Sequence, residues 1–504
     1  MSLSFPQKPV DSSLKLPVIT NWNPLIGYML FYDASIAALF YYKLVLEVRT
    51  QSISGTLLGK IRQRRNGYSD DIANNKARAF FDLRDIVNTQ LVDTQYDQNC
   101  DGVPFEPIHK VGSSAGFLDK IFSKNGNAQQ GKTQIVKIHV RGYQSYSTNA
   151  SISPTDDLTG SAVNERFYMQ GSLPLFEKRS FIRSSNTYDT EFIQGDAFND
   201  FVLKSITSRF LSDVEKFTDS TVGSTAQYIN YVQSTDYHTL AFINGNTDFN
   251  SRGATLLIQY FDSSGLQIGS DQSFANQASN GGFIPNVTTD TSVTPNVTIE
   301  DKYRLLYFGC GPANLEAQTV NTSARPSAFT DYAYYRITAL NSLAATMSAT
   351  YYFIKQDINS KSCKGFTTRR LAFRNSLGCY DYFNFTKKST QTVNISRDTY
   401  GSVIGTFNKS KWRYDDYQRG STVRQTTAKL KETLNTDWIT EEQATLIEKL
   451  LMSTDVYVIE NVDTDFTQAV MVTSSSHIRK TVANDNLIQY SVDIEYANNL
   501  NTNS

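Results

Sequence analysis

The stretch ATLLIQYFDSSGLQIGS, residues 254–270, carries two apolar runs on either side of a DSSG turn. A short Asp/Ser/Gly turn between such runs predicts a β-hairpin. Similar runs, rich in the β-branched and aromatic residues that favour strands, stand on both sides of it: TLAFI (239–243), KYRLLYF (302–308), YAYYRITAL (332–340) and ATYYFIK (349–355). We therefore expect residues 233–358 to form a β-sandwich.

The N-terminal region repeats this strand pattern. In TQIVKIHVRGY, residues 133–143, Ile135, Lys137 and His139 alternate with Val136, Ile138 and Val140, the two-residue period of a half-buried strand. Short apolar runs separated by polar turns precede it from Trp22 onward. Residues 21–150 are therefore predicted to form a first β-sandwich.

Two segments lack this pattern. Residues 1–20 contain Pro6, Pro9 and Pro17 and little periodicity, so we expect an extended N-terminal arm. Residues 151–232 begin with a Ser/Thr/Asp-rich stretch and are predicted to be an irregular linker or insertion.

The C-terminal region, residues 359–504, contains one clear helix signal. Thr440 and Gln443 have the spacing of a capping box, with Ile439 and Ala444 placed for a hydrophobic staple. The apolar positions that follow recur at helical spacing: Leu446, Ile447, Leu450 and Leu451. Because strand-like runs flank this helix, the whole chain is predicted to be mainly β, with two β-sandwich domains followed by a smaller α+β domain.

The composition excludes some partners. The chain of 504 residues has 48 Lys and Arg against 49 Asp and Glu, and a formal charge of −1. It lacks the basic surplus typical of nucleic-acid and anionic-membrane binders, so neither partner is expected. The apolar stretch 25–48 is interrupted by Asp33 and Lys43, which predicts two buried strands and no membrane span. Without a visible secretory signal, we expect synthesis in a reducing cytosol.

Candidate ligands for metals or cofactors do not form a pattern. Four cysteines and four histidines are scattered along the chain: Cys100, Cys310, Cys363, Cys379, His109, His139, His238 and His477. The cysteine spacing fits neither a zinc site nor a disulfide framework, so buried reduced thiols are expected. We predict no metal and no cofactor, and we can name no catalytic residues, so the chain is expected not to be an enzyme.

Three motifs resemble ligand-binding loops but lack the required surroundings. Residues 126–133 match a phosphate-binding loop, yet a strand pattern follows where a helix is needed. Residues 308–315 resemble part of a dinucleotide-binding fingerprint without its third glycine. Residues 97–102 match the first half of a calcium loop, but Ile108 stands where a glutamate ligand belongs. Exposed loops and ordinary turns are the expected structures.

An aromatic-rich segment, LAFRNSLGCYDYFNF (371–385), suggests a different role. Its aromatic residues exceed what one half-exposed strand needs: Phe373, Tyr380, Tyr382, Phe383 and Phe385. They form either a local core or the anchors of a protein interface, where Tyr and Phe are enriched. We name these five as candidate interface residues.

Several segments resemble virion structural proteins of tailed bacteriophages, usually from the tail or baseplate region. The C-terminal segments are RNSLGCYDYFNFTKKS, LNTDWITEEQATLIEKLLMSTDVYVIE and SSSHIRKTVANDNLIQYSVDIEYA. NPLIGYMLFY, FYYKLVLEV and ARAFFDLRDIV resemble the Ig-like sandwich with which such proteins begin. The resemblance implies a non-enzymatic tail component that forms a ring or other homo-oligomer with further virion proteins. It supplies no catalytic residues.

Two other classes of function stay open. A receptor- or glycan-binding adhesin at the tail tip would use exposed aromatics beside Asn, Asp and Ser loops. Such a binder should gather its aromatics at one end, whereas an assembly protein should spread them along sandwich faces. A tail-borne hydrolase would need paired carboxylates in a cleft, and the sequence nominates no pair. We expect residues 1–20 and the loop at 279–300 to reach neighbouring subunits, so that deleting 1–20 should leave folding intact and impair assembly.

Overall fold

The computed structural model describes much of the chain. The described residues are 3–8, 18–21, 27–50, 52–65, 69–91, 96–97, 106–107, 122–124, 135–172, 201–244, 255–275, 278–279, 282–283, 305–317, 325–326, 331–341, 343–356, 366–459, 467–474 and 488–500. The chain divides into two compact units. The first comprises residues 1–356 and 374–381, and the second comprises residues 357–373 and 382–504.

The first unit is built almost entirely from strands. In chain order they are β1 (Leu3–Gln7), β2 (Val18–Asn21), β3 (Gly27–Tyr32), β4 (Phe40–Thr50), β5 (Leu57–Gln63), β6 (Ala77–Asp82), β7 (Tyr96–Asp97), β8 (Glu106–Pro107), β9 (Phe122–Lys124), β10 (Ile135–Ser147) and β11 (Thr155–Ser172). They continue with β12 (Val202–Leu203), β13 (Lys216–Phe217), β14 (Gln227–Val232), β15 (Thr239–Asn244), β16 (Thr255–Phe261), β17 (Gln267–Ala275), β18 (Ala278–Ser279), β19 (Gly282–Phe283), β20 (Leu305–Gly309), β21 (Tyr334–Leu340) and β22 (Tyr351–Lys355). Its described helices are one or two turns long: α1 (Ser69–Ala73), α2 (Arg84–Asn88) and α3 (Pro312–Glu316).

These strands form sheets of mostly antiparallel neighbours. The larger sheets have the orders β1-β3-β6, β2-β11-β10-β4-β5, β12-β15-β20-β9 and β13-β14-β22-β21-β16-β17. The strands β7 and β8 pair with each other, as do β18 and β19. The prediction of a mainly β protein is thereby confirmed.

In the described part of the first unit, two large hydrophobic cores hold the sheets, beside a smaller cluster on the six-stranded sheet. One contains Leu30 and Phe81 from the three-stranded sheet together with Leu46 and Val140 from the five-stranded sheet. The other joins the four- and six-stranded sheets and is rich in aromatics: Phe242, Phe308, Tyr260, Tyr335, Tyr351 and Phe353. The ring of Tyr335 stacks on that of Phe353 with centroids 5.0 Å apart, so tyrosine supplies much of the buried apolar surface.

The hairpin predicted at residues 254–270 is confirmed as β16 and β17. Every second residue of β16 is buried, including Ile258 and Tyr260. In the turn, Asp262 Oδ1 accepts the backbone N–H groups of Ser264 and Leu266 at 2.8 and 2.9 Å. Gly265 has a φ of +82°, a left-handed conformation that glycine adopts without a steric penalty.

The N-terminal segment differs from the expected extended arm. β1 pairs antiparallel with β3, and β2 pairs parallel with β11. Leu3 is buried, and the ring of Phe5 makes an edge-to-face contact with Tyr28 at 5.3 Å. The described parts of residues 1–20 therefore complete sheets of their own unit. Prolines do not prevent this pairing, because a strand at a sheet edge can lack one donor.

The structure also differs from the irregular insertion predicted at 151–232. Residues 155–172 form β11, which is hydrogen-bonded to β10. The Thr and Asp side chains at the start of β11 lie at the exposed end of this strand pair. Residues 201–232 contribute β12, β13 and β14 and buried side chains such as Phe210. The polar composition reflects solvent exposure of one end of a strand pair. Residues 173–200 lie outside the described part.

The second unit contains a seven-stranded sheet and a helix. Its strands are β23 (Arg369–Arg374), β24 (Tyr380–Phe385), β25 (Thr390–Gly401), β26 (Thr406–Asn408), β27 (Lys411–Arg413), β28 (Ser421–Asn435), β29 (Val456–Ile459), β30 (Thr467–Val472) and β31 (Ser491–Tyr496). The order is β24-β23-β29-β30-β31-β28-β25, and β26 pairs with β27 separately. Residues 374–381 connect β23 to β24 and include the last residue of β23 and the first two residues of β24. They belong to the first unit.

The predicted helix is confirmed as α4 (Glu441–Met452). Thr440 caps its N-terminus: its side chain accepts the Gln443 N–H, and the Gln443 side chain accepts the Thr440 N–H. Ile439 and Ala444, the two staple positions, are buried. Leu446, Ile447 and Leu450 are also buried, while Leu451 is half-buried. The cap and the apolar stripe together explain why the chain is helical at this place.

Candidate interaction surface

The five candidate interface residues lie in the interior. Phe373, Tyr380, Tyr382, Phe383 and Phe385 are each at most 9% exposed. Phe383 and Phe385 pack edge to face with their ring centroids 5.0 Å apart. A partner molecule has little access to these side chains in this conformation, which agrees with the local-core alternative. Their role in an interface stays a prediction.

A buried polar cluster surrounds the turn that follows β23. Asp381 Oδ2 accepts the backbone N–H of Asp213 at 2.7 Å and the Nδ2 group of Asn375 at 3.1 Å. The Asp213 carboxylate accepts the N–H and the hydroxyl of Ser376 at 2.6 and 2.5 Å. Asn375 Nδ2 also donates to the Leu211 carbonyl at 2.9 Å. All of these groups belong to the first unit, and we call them the Asp213–Asp381 cluster.

Asn375 also holds the turn itself. Its Oδ1 accepts the backbone N–H groups of Leu377 and Cys379 at 3.1 and 2.9 Å. Gly378 completes the turn with a φ of +80°. Buried backbone donors must find an acceptor because losing water without replacement is costly. Asn375 supplies two such acceptor contacts, so this side chain is needed for the local fold.

Burial changes the acidity of two groups in this region. Desolvation and the nearby Asp213 raise the pKa of Asp381 to about 7. Desolvation raises the pKa of the Cys379 thiol to about 12, so this thiol stays protonated at neutral pH and is a poor nucleophile. Sequence spacing gave no signal for the carboxylate pair, since Asp213 and Asp381 are far apart in the chain. Their many hydrogen bonds within the unit indicate a structural role.

A two-stranded ribbon of the second unit, residues 390–428, is exposed to solvent, and we call it the arm. It consists of β25, the first part of β28 and the residues between them. All twelve residues of β25 are exposed. β28 pairs with β31 only between Lys431 and Asn435. Farther out, β25 and β28 pair only with each other among the described strands, as far as Gly401 and Ser421.

The tip of the arm is an ordered structure. Trp412 Nε1 donates to the Ile404 carbonyl at 3.1 Å, and its ring packs edge to face on Phe407 at 5.0 Å. A Cβ at Gly405, where φ is +112°, would lie 2.2 Å from Trp412 Nε1. Only glycine therefore lets the indole approach the backbone here. The Ser402 N–H donates to the Gly420 carbonyl at 2.9 Å and closes the base of the tip.

The tip exposes large apolar and basic side chains together. Five aromatics are at least 48% exposed: Tyr400, Phe407, Trp412, Tyr414 and Tyr417. Six basic residues (Arg397, Lys409, Lys411, Arg413, Arg419 and Arg424) and three acidic ones (Asp398, Asp415 and Asp416) lie between Ser396 and Arg424. Clustered exposed aromatics of this kind mark interaction sites on soluble proteins.

The first unit has a cleft of about 570 Å³. Its lining consists of Tyr41, Tyr42, Lys43, Arg64 and the loop 150–154. Tyr41 has a φ of +53°, uncommon for a non-glycine residue, and its hydroxyl donates to the Ala150 carbonyl at 2.7 Å. The cleft therefore combines an exposed aromatic ring with two cationic side chains.

The three ligand-loop motifs have different outcomes. Residues 126–133 and most of 97–102 lie outside the described residues, as do 284–304. At 308–315, Gly309 ends β20 in an antiparallel sheet and α3 follows at Pro312. A Cβ at Gly311 would lie 2.4 Å from the His238 backbone nitrogen, and Asn314 Oδ1 accepts that N–H at 2.9 Å. Backbone packing accounts for this Gly-x-Gly sequence.

Among the described residues, no cluster of three or more His, Cys, Asp or Glu side chains could hold a metal ion. His139 Nδ1 lies 3.2 Å from Glu165 Oε1, its cross-strand neighbour. His238 is buried beside Phe353. Cys310 and Cys379 are buried thiols outside any disulfide, as expected, whereas Cys100, Cys363, His109 and His477 lie outside the described part.

Within the part of the chain that the structure describes, no helix has the length and apolar character required to cross a membrane. The chain matches no known protein-family model. It also matches no curated protein sequence.

Proposed function

We propose that this protein is a non-catalytic structural component of a tailed-bacteriophage particle, in the tail or baseplate region. It would be made in the host cytoplasm and join the virion as a homo-oligomer or ring with other virion proteins. Two Ig-like sandwiches would form its body, and residues 359–504 would form its assembly domain. The observation that supports this role best is the arm, because a solvent-exposed ribbon with an apolar, ordered tip is suited to packing on a neighbour.

A two-stranded ribbon gains little free energy by folding on its own. A two-stranded hairpin alone is marginally stable in water, and three or more strands are normally needed. The arm also leaves Phe407, Tyr414 and Tyr417 more than two-thirds exposed. Burying apolar surface contributes roughly 25 cal/mol per Å². Packing the arm against another subunit would therefore stabilise both the ribbon and the assembly.

Immunogold labelling would test this role. Antibodies raised against the purified chain would be applied to particles from lysates of bacteria that produce it. We expect gold at the tail or baseplate of intact particles. Label confined to unassembled protein would contradict the proposal.

A variant without the outer part of the arm tests whether assembly uses this surface. Replacing residues 396–427 with Asn-Gly joins Ile395 and Ala428, which face each other across the ribbon. The shortened chain should fold, yet enter particles at least about tenfold less, the loss that 1.4 kcal/mol of interface free energy gives. Undiminished incorporation would show that assembly does not use the arm.

The alternative is a receptor- or glycan-binding adhesin of the tail tip. Two observations favour it: the exposed aromatics of the second unit concentrate at the arm tip, and the cleft beside Tyr41 combines an aromatic ring with Lys43 and Arg64. Aromatic faces and hydrogen-bonding side chains suit sugars. A glycan array probed with the intact chain, Tyr41→Ala and the arm-excised variant would identify the binding surface. Absence of binding by the intact chain would exclude the glycan form of this alternative.

A further inference from the structure

The outer edge of β25 is the most unusual feature of the arm. β25 is the last strand of the seven-stranded sheet, with β28 on one side and no described strand on the other. Every residue from Thr390 to Gly401 is exposed. Such an edge presents a row of backbone donors and acceptors to another chain.

From Thr390 to Ser396, this edge lacks the devices that usually prevent pairing. Natural edge strands are short or carry lysines, prolines or inward-pointing charges. The seven residues from Thr390 to Ser396 include no charge and no proline. Val393 and Ile395, about half exposed, lie on one face of the strand two residues apart. The one irregularity in the β25–β28 ladder lies beyond this run, between Asp398 and Thr399.

We propose that the edge pairs with β25 of a second copy of this chain, antiparallel, with a twofold axis at Ile395. This inference rests on the proposed assembly role and names the partner of the arm. Each edge is the complement of its own antiparallel copy, which suits the isologous contacts of a twofold dimer. Residues from Thr390 to Tyr400 would pair over roughly 35 Å at about 3.4 Å per residue.

The charges of β25 disfavour two registers and are compatible with an axis at Ile395. A twofold axis normal to the sheet places one residue opposite its own counterpart and preserves each residue's face. An axis at Arg397 or Asp398 would place like charges directly opposite each other, which is unfavourable. An axis at Ile395 places Thr392 opposite the partner's Asp398 and Val393 opposite the partner's Arg397. The β-branched side chains of both copies then form one row on one face.

Disulfide trapping tests this register directly. In Ile395→Cys the two thiols would face each other across the axis, within reach of a disulfide. The control is Thr399→Cys, on the same face of β25, which would face the partner's Gln391. We expect mild oxidation to give a covalent dimer of the first variant and a monomer of the second on a non-reducing gel. Equal cross-linking of both variants, or of neither, would overturn the register.

Lysine substitutions test the same register in solution. Ile395→Lys would put two ammonium groups opposite each other and weaken the dimer at least about tenfold. Thr392→Lys would instead face the partner's Asp398 and leave the dimer equal or tighter. Sedimentation equilibrium of the full chain measures both. A wild-type chain that stays monomeric at its highest soluble concentration, or an equal loss in both variants, would overturn the proposal.

The oligomeric state and the immunogold labelling can fail independently, so the dimer and the virion role are tested separately. A monomeric chain that still labels phage tails would refute pairing through β25 and leave the virion role standing. A specific dimer without any label on particles would support pairing through β25 and refute the virion role.

Discussion

The buried turn at 374–381 and the exposed arm at 390–428 are close in sequence, yet their surroundings are opposite. In the turn, Asn375 makes four hydrogen bonds to buried or part-buried groups and Gly378 has a positive φ. In the arm, Asn394 lies on an exposed strand and Gly405 accommodates an exposed tryptophan. The turn with its flanking strands, residues 371–385, and the arm are both rich in aromatic and small polar residues. Similar composition therefore serves the interior in one place and the surface in the other.

Aromatic density alone does not distinguish a core from an interaction surface. The aromatics from Phe373 to Phe385 are buried, and the polar groups of the turn at 374–381 are hydrogen-bonded within the first unit. Those from Tyr400 to Tyr417 stay exposed because no described element covers the ribbon. The difference predicts that matched changes in buried and exposed segments will have unequal effects.

Removal of a whole segment should give the largest difference in unfolding free energy between a buried and an exposed part of the chain. Deleting residues 1–8 removes β1, the buried Leu3 and the contact of Phe5 with Tyr28. The expected loss is about 5 kcal/mol of unfolding free energy, since core Leu→Ala and Phe→Ala changes each cost about 2–5 kcal/mol. Excision of 396–427 should change it by less than about 1 kcal/mol. Chemical denaturation would measure the unfolding free energy of both variants. An equal loss of unfolding free energy in the two would contradict the prediction.

Asparagine substitutions should give the next largest difference. Asn375→Ala leaves the N–H groups of Leu377 and Cys379 without their acceptor. We expect a loss of about 3 kcal/mol, since a buried donor without a partner costs about 1–3 kcal/mol. Asn394→Ala on the arm should stay within about 0.5 kcal/mol. Urea denaturation curves decide this, and a mild effect of Asn375→Ala would show that water replaces the side chain.

The Asp213–Asp381 cluster should make stability depend on pH. Because the folded-state pKa of Asp381 is raised to about 7, the folded protein holds a proton that the unfolded chain releases near pH 4. This contribution to stability is complete below about pH 4 and is lost as pH rises through 7. Asp381→Asn should remove that decline, whereas Asp398→Asn on the arm should retain it. Denaturation midpoints between pH 4.5 and 8 measure the slopes, and parallel slopes for all three proteins would refute the assignment.

Glycine substitutions should give the smallest global effects. Gly378→Ala places a side chain at a positive φ in a buried turn and should cost about 1 kcal/mol. Gly405→Ala should leave the unfolding midpoint unchanged but displace Trp412 from the tip. Trypsin should then cleave after Lys409 and Lys411 about tenfold faster, because the tip opens locally. An unchanged cleavage rate would mean that the indole moves without opening the tip.

The sequence predicted much of the secondary structure. The DSSG hairpin at 254–270 and the capped helix starting at Glu441 were both recognisable, because turns and caps are specified by residues close together in the chain. The alternation around Ile138 likewise identified β10. The segments 1–20 and 151–232 were interpreted as irregular, because proline and Ser/Thr content say little about which distant strand is available for pairing.

The interaction surface was much harder to predict. Nothing in the spacing of Asp213 and Asp381 indicated that they meet, and the aromatics at 373–385 gave a stronger local signal than those at 400–417. One available signal was the uncharged alternating run at 390–396, which has the period of a strand with one apolar face. This run does not indicate that both faces of β25 stay uncovered by other described elements.

The sequence alone determined the β-rich class, the positions of the marked hairpin and helix, and a near-neutral charge without a recognisable catalytic motif. These follow from short-range properties: side-chain shape, turn chemistry and periodicity. Only the tertiary structure decided which strands are edges, which aromatics are exposed and which carboxylates share a buried cluster. The physical reason is that pairing and burial depend on contacts between residues far apart in the chain, which local preferences do not specify.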